Sequence, residues 1–219
     1  MKNRVFTILI IFSIVFCFKN KVMSQAQFQI DYATTGTMDM DIFAGVKKTP
    51  TGYAIAGFVN GVSYITGGFP SLLIMTDTSG AFTSGRQYQD NNFIPTTPLL
   101  ANDLQTTSSG GFIMTGAFGS KAMLLKVNSS GSTTVFSKTY GNSNEFGNAV
   151  KELSAGGYIV AGTTKMKSLN PDKDSLSIFV FKTDASGNYT WGRTYTLISV
   201  PVFDSQDEVL DAAELSDGY

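Results

Sequence analysis

The sequence predicts an all-β chain built from repeated four-stranded units, and three observations carry that reading. A glycine frame is written three times, as "GYAIAG" from Gly52, "GFIMTG" from Gly111 and "GYIVAG" from Gly157. Each frame is followed by an apolar run that closes in a turn: "SLLIMTDTSG" from Ser71, "AMLLKVNSSG" from Ala122 and "SIFVFKTDASG" from Ser177. Each turn leads into a strand that ends in tyrosine, at Tyr88, Tyr140 and Tyr195. Self-similarity that recurs along the chain in this way is the signature of a repeat architecture, in which one unit buries its faces only against its neighbours.

The frames are strands because their aliphatic and aromatic residues are short, β-favouring and bounded by glycines. In the third frame Tyr158 and Val160 share one face, Ile159 and Ala161 the other, and all are apolar or small. The run "IFVF" from Ile178 is equally two-faced, so both faces of these inner strands are expected to be covered. A plain two-sheet sandwich leaves one face of each strand wet, whereas a radial stack covers both. Burying each frame aromatic (Tyr53, Phe112, Tyr158) is expected to contribute on the order of 2 kcal/mol.

The turns follow from side-chain chemistry. Asp77, Asn128 and Asp184 each precede a glycine (Gly80, Gly131, Gly187) by three residues, the spacing at which a polar side chain bonds the turn backbone and glycine takes positive φ. In the strand after each turn, Ser84, Phe136 and Trp191 occupy one slot. Trp191, Arg193 and Tyr195 share a face opposite Gly192 and Thr194, which suits an outer, partly solvated strand, and a Trp191→Ala loss of about 3 kcal/mol is expected if the ring is buried. A fourth, less regular stretch returns to the next frame, as in "NAVKELSAGGY" from Asn148 and "DAAELSDGY" from Asp211. Measured on the frame glycines Gly57, Gly116 and Gly162 the period is 59 and then 46 residues, and Gly157 to Gly218 spans 61. The fold class expected is therefore a β-propeller-like array of four-stranded repeats, about 46 to 61 residues each. With "DGY" opening a fourth frame and typically four to eight sheets needed for closure, the array is expected to be incomplete in this chain.

The N-terminus has a different composition. Lys2 and Arg4 precede an apolar run from Val5 to Phe18, and Ser24 and Ala26 supply small residues where a signal peptidase cuts. Residues 1–26 are expected to be a signal peptide and residues 27–219 the repeat region; an uncleaved anchor is the alternative, and lipidation of Cys17 is disfavoured by the bulky Phe16 before it. Export to the cell surface or medium follows, with the periplasm as alternative, and no membrane span remains after cleavage. The chain has 219 residues, 16 of them basic and 17 acidic. Cleavage removes four of the basic residues, leaving 12 against 17, so nucleic acid is not an expected partner. Cleavage also removes the sole cysteine, so the fold is expected to hold without disulfides.

The sequence contains no histidine, which removes Ser-His-Asp and Cys-His nucleophilic chemistry and the usual zinc sites. "GFVNGVSYITGG" lacks the Lys-Ser/Thr of a phosphate loop. Glu145, Glu152, Glu208 and Glu214 are the carboxylates a glycosidase would need, but they lie in the return stretches, where solvated charge is ordinary. No catalytic residue is assigned. Asn170, Asp172 and Asp174 alternate as in the first half of a calcium loop, which marks a weak calcium site, although Ser175 stands where glycine and Phe181 where glutamate would be. "DSL" from Asp174 matches a short O-glycosylation motif.

The cadence "GGYIVAGTT…SIFVFKTDASGNYTWGRTY…VLDAAELSDGY" resembles secreted bacterial repeat proteins with units of the form DGGYIIAG, KTDSNG and WxKTYG. It covers about residues 40–219 and is most specific in the third unit; in the first, Ser84 replaces the tryptophan. The resemblance implies a β-propeller-like surface protein, often carrying a C-terminal secretion signal, of which none is visible here. "DASGNYTW" differs in spacing from sialidase aspartate boxes, and only Arg86 and Arg193 remain in the mature chain, too few for an arginine triad. The expected function is an exported binding or scaffold module whose partner is an extracellular glycan or protein, non-catalytic over this region. A secreted hydrolase with catalytic residues further along the polypeptide is the competing class.

Overall fold

Among the described residues, twelve strands are joined by antiparallel pairing into three sheets of four, and there is no helix. The computed structural model describes residues 40–60, 70–88, 99–142, 144–167, 174–195 and 209–214. The first sheet holds β1 (Met40–Thr49), β2 (Gly52–Asn60), β3 (Ser71–Asp77) and β4 (Phe82–Tyr88) in that order. The second holds β5 (Leu99–Thr106), β6 (Phe112–Phe118), β7 (Lys121–Val127) and β8 (Thr134–Tyr140). The third holds β9 (Glu145–Glu152), β10 (Tyr158–Lys167), β11 (Asp174–Thr183) and β12 (Tyr189–Tyr195).

The all-β class and the four-stranded repeat agree with the expectation. One boundary differs. The stretch that returns to a frame pairs with that following frame, so β9 joins β10 and becomes the first strand of the third sheet. Each unit thus runs return strand, frame, apolar run, tyrosine strand. The reason is length: β9 and β10 are separated by the tight turn Leu153–Gly157, closed by Leu153 N to Gly157 O at 3.0 Å, and a short turn makes its flanking strands antiparallel neighbours.

Registers repeat from sheet to sheet. Ser84, Phe136 and Trp191 pair with Met75, Lys126 and Lys182, which are equivalent positions of β3, β7 and β11. The return strands carry a bulge at Ala44, Asn102 and Asn148, beside the frame glycines Gly57, Gly116 and Gly162. There the bulged strand comes too close for a side chain: a Cβ on Gly116 would overlap the Leu100 carbonyl oxygen, and one on Gly162 that of Phe146. At the other end of the frame, a Cβ on Gly52, Gly111 or Gly157 would overlap the carbonyl oxygen of Thr76, Val127 or Thr183 in the neighbouring strand.

The sheets stack face to face. One core layer joins Ala54, Ala56, Leu73 and Tyr88 of the first sheet to Leu104, Phe112, Met114, Met123 and Leu125 of the second. The other joins Ile113, Ala122 and Leu124 of the second sheet to Val150, Tyr158, Val160, Phe179 and Phe181 of the third. Alternation along β6 therefore sends Phe112 one way and Ile113 the other, and both are fully covered, at 2% and 0% exposure. That is why the frame is apolar on both faces. The approach is closest at the return strands, since β5 runs against β1, β2 and β3, and β9 against β5, β6 and β7. The tyrosine strands β4, β8 and β12 are mostly exposed.

Two expectations about burial need correction. Each frame aromatic points back at the preceding sheet: Phe112 toward the first and Tyr158 toward the second. Tyr53 belongs to the first sheet, has no earlier described sheet to meet, and is 38% exposed, so it does not gain the burial energy expected for all three. Trp191 is likewise 40% exposed, because it lies on the face of the third sheet turned away from the second. Phe136, in the same slot, packs against the core between sheets. Equivalent slots have different surroundings at the ends of the stack.

Candidate functional site

The recurring polar contacts between sheets lie at their joints, and they start from the turns. Asp77 Oδ1 accepts from the backbone N–H groups of Ser79 and Ala81 at 2.8 and 2.9 Å and from the Ser79 hydroxyl at 2.6 Å. Asp184 Oδ1 accepts from Ser186 N and Asn188 N at 2.9 and 2.7 Å. Asn128 fills the same role one residue looser, accepting from Thr133 N at 3.1 Å. The carboxyl of Asp77 is held below its ordinary range first by the Ser79 hydroxyl and then by Ala81 N–H, and that of Asp184 first by the backbone and side chain of Asn188. These acids shape turns, as the sequence suggested. The turn glycines Gly80, Gly131 and Gly187 have φ of 84, 68 and 75°.

The terminal tyrosine of one sheet then reaches the turn of the next. The Tyr88 hydroxyl donates to the Gly131 carbonyl at 2.6 Å, and the Tyr140 hydroxyl donates to the Gly187 carbonyl at 2.6 Å. Burial pushes the Tyr88 hydroxyl up to about 12, against the opposing Arg86 guanidinium. For Tyr140, burial and then the Asp184 carboxylate raise it further. Glycine is needed at the receiving end for space as well as φ: a Cβ on Gly131 would lie 2.8 Å from Leu73 Cδ2, and one on Gly187 2.8 Å from Phe136 Cε2.

A second joint is made at the turn that opens the frame strand. Glu152, from the return strand of the third sheet, accepts from the backbone N–H and hydroxyl of Ser108, in the β5–β6 turn. Glu214 accepts from the N–H and hydroxyl of Ser154, in the β9–β10 turn, both at 2.9 Å. Both are among the carboxylates a glycosidase would need, but their oxygens bond a neighbouring turn. Asp103 and Asn102 add further links, with Val150 N donating to Asp103 Oδ2 at 2.9 Å and Asn102 Nδ2 to the Gly147 carbonyl at 3.0 Å.

Between the second and third sheets lies a cleft of about 240 Å³, walled by Tyr140, Phe179, Phe181 and Tyr189, with Glu145 and Arg193 on its lining. The rings form one cluster: Tyr140 and Phe181 have centroids 4.5 Å apart, and Phe179 and Phe181 are stacked at 5.8 Å. Glu145 Oε1 accepts from Asn142 N at 3.3 Å, while its buried Oε2 has no hydrogen-bond partner. Sequence reasoning named Glu145 only as a solvated carboxylate and missed the cleft, because Tyr189 and Glu145 are brought together only when two sheets meet.

Of the calcium candidates, Asn170 and Asp172 lie outside the described residues, and Asp174 opens β11 with its side chain also outside them. Among the described residues no group of three or more His, Cys, Asp or Glu side chains is placed to hold a metal ion. The expected signal peptide, residues 1–26, also lies outside the described residues. No helix among the described residues is long and apolar enough to cross a membrane. No family model matches the chain, and no curated protein matches it either.

Proposed function

We propose that this protein is exported and acts outside the cytoplasm as a β-propeller-like binding or scaffold module. The observation that carries this reading is the recurrence of one joint: the same tyrosine-to-turn bond at 2.6 Å links first to second and second to third sheet. A joint that repeats can be propagated, which is how stacked repeats build extended or closed scaffolds. The charged N-terminal start, the apolar run and the Ser24-Gln25-Ala26 segment support export.

The ligand, an extracellular glycan or protein, seats in the cleft between second and third sheets. Its aromatic walls offer apolar and ring contacts, and Glu145 adds a carboxylate to the lining. Export is tested by intact mass of the protein recovered outside the cytoplasm, which should begin at Gln27; a mass retaining residues 1–26 overturns it. The cleft is tested by saturation binding to immobilised glycan and peptide panels, where Glu145→Gln should weaken binding about tenfold without changing the unfolding midpoint. Binding indifferent to Glu145 moves the ligand elsewhere.

A further inference from the structure

The outward face of the third sheet repeats, position for position, the apolar surface by which the second sheet receives its successor. Tyr195 ends β12 as Tyr88 ends β4 and Tyr140 ends β8. Tyr88 is buried at 6% exposure and Tyr140 is half-buried under the turn each one meets, yet Tyr195 is 57% exposed. Beside it on the same face are Trp191, at 40%, and the partly covered Ile159, Ile178 and Val180. Their counterparts in the second sheet, Phe136, Ile113, Ala122 and Leu124, form the core against the third sheet.

We propose that this face is a docking surface for a fourth four-stranded unit of the same form, in which a turn glycine carbonyl accepts the Tyr195 hydroxyl. This rests on the repeat-stack reading above. The choice of occupant comes from residues 209–214. Glu214 holds Ser154 through two hydrogen bonds as Glu152 holds Ser108, so this segment already occupies the position of a return strand against the third sheet. In each described sheet the return strand pairs with the frame that follows it in the chain. A unit continuing from residues 209–214 therefore fits the surface. A second copy of this chain, entering with its own first sheet, would bring β1 to the place that residues 209–214 hold.

Trp191 is the sole tryptophan in the sequence, so its fluorescence reports on this face alone. The 219-residue chain is continued past Tyr219 with a copy of residues 113–140, which contains the Asn128-to-Gly131 turn and no tryptophan. In the continued chain, Trp191 emission should move to the blue and its acrylamide quenching constant should fall severalfold relative to the 219-residue chain. Tyr195→Phe should lower the unfolding midpoint of the continued chain and leave that of the 219-residue chain unchanged. Should that extension not fold, a continuation with residues 159–195 carrying Trp191→Phe in the copy is measured in the same way. Unchanged quenching in a folded continued chain overturns the proposal. So does quenching that falls with rising concentration of the 219-residue chain, which would give the face to a second copy. Export and cleft binding are read by separate measurements and stand or fall on their own.

Discussion

The Tyr140 hydroxyl donates to the carbonyl oxygen of Gly187, 47 residues further along the chain and in the next sheet, at 2.6 Å. The same bond, from Tyr88 to Gly131 across 43 residues, joins the sheets before it. Each tyrosine is the last residue of its strand, and each glycine sits in the turn that Asn128 or Asp184 organises. The joint couples a local turn, shaped by one side chain, to a contact between units.

Removing these hydroxyls should cost stability. Tyr88→Phe leaves the Gly131 carbonyl buried without its donor and is expected to lower stability by about 2 kcal/mol, and Tyr140→Phe by about 1 kcal/mol because that site is wetter. Tyr195→Phe should be neutral in the 219-residue chain. Urea unfolding of the three variants measures the order; equal effects at all three positions would contradict the role given to the joint.

Alkaline pH should loosen the same joint. The folded Tyr88 hydroxyl, held up to about 12, keeps its proton in a range where an unfolded tyrosine, near 10, has lost it. The stability it provides is whole below pH 10 and is lost as pH rises from about 10 through about 12, a loss on the order of 2 kcal/mol. Tyr140 acts in the same direction. Unfolding midpoints taken from pH 8 upward should fall across this window, and the fall should be smaller in Tyr88→Phe.

Acid should act through the turns. Asp77 and Asp184 have carboxyls held below their ordinary value near 3.8, so the stability they provide is present above that value and is lost as pH falls below it. Asn128 shows that an amide can organise the turn. Asp184→Asn is therefore expected to leave the protein unchanged at pH 7 and to flatten the acid limb of its stability profile. Asp184→Ala should lower the melting temperature at pH 7; thermal scans at pH 3, 5 and 7 separate the two.

The frame glycines should not tolerate alanine. Gly116→Ala drives a methyl group into the Leu100 carbonyl and is expected to cost about 4 kcal/mol or to prevent folding. Gly110, with φ of 85° and open space around it, is the control and should lose about 1 kcal/mol from backbone strain alone. Similar losses at both sites would mean that the bulged return strand moves aside.

Trp191 and Phe136 test the end of the stack. Phe136→Ala removes a ring that packs on Tyr158, with centroids 6.1 Å apart, and should cost about 3 kcal/mol. Trp191→Ala should cost about 1 kcal/mol, well below the value expected had its ring been buried, because 40% of the residue faces solvent. Differential scanning calorimetry of the two variants reads the gap.

How much was legible in the sequence depended on distance along the chain. Strand alternation in "YIVA" and "IFVF", the turn acids Asp77 and Asp184 and the positive φ of Gly187 are set by neighbours a few residues away, and they could be read directly. So could the two-faced burial of the inner strands, since an apolar residue on each face has to be covered by something. Tertiary structure alone decided which sheet each return strand joins, that Tyr53 and Trp191 fall at the ends of the stack, and that Glu152 and Glu214 hold turns of the preceding unit. It also decided that Tyr140 meets Gly187 and that Glu145 lies in a cleft with Tyr189. The physical reason is that burial and hydrogen bonding across a joint belong to pairs of sheets, and the repeated motif is the same whether or not a neighbouring sheet is there to cover it.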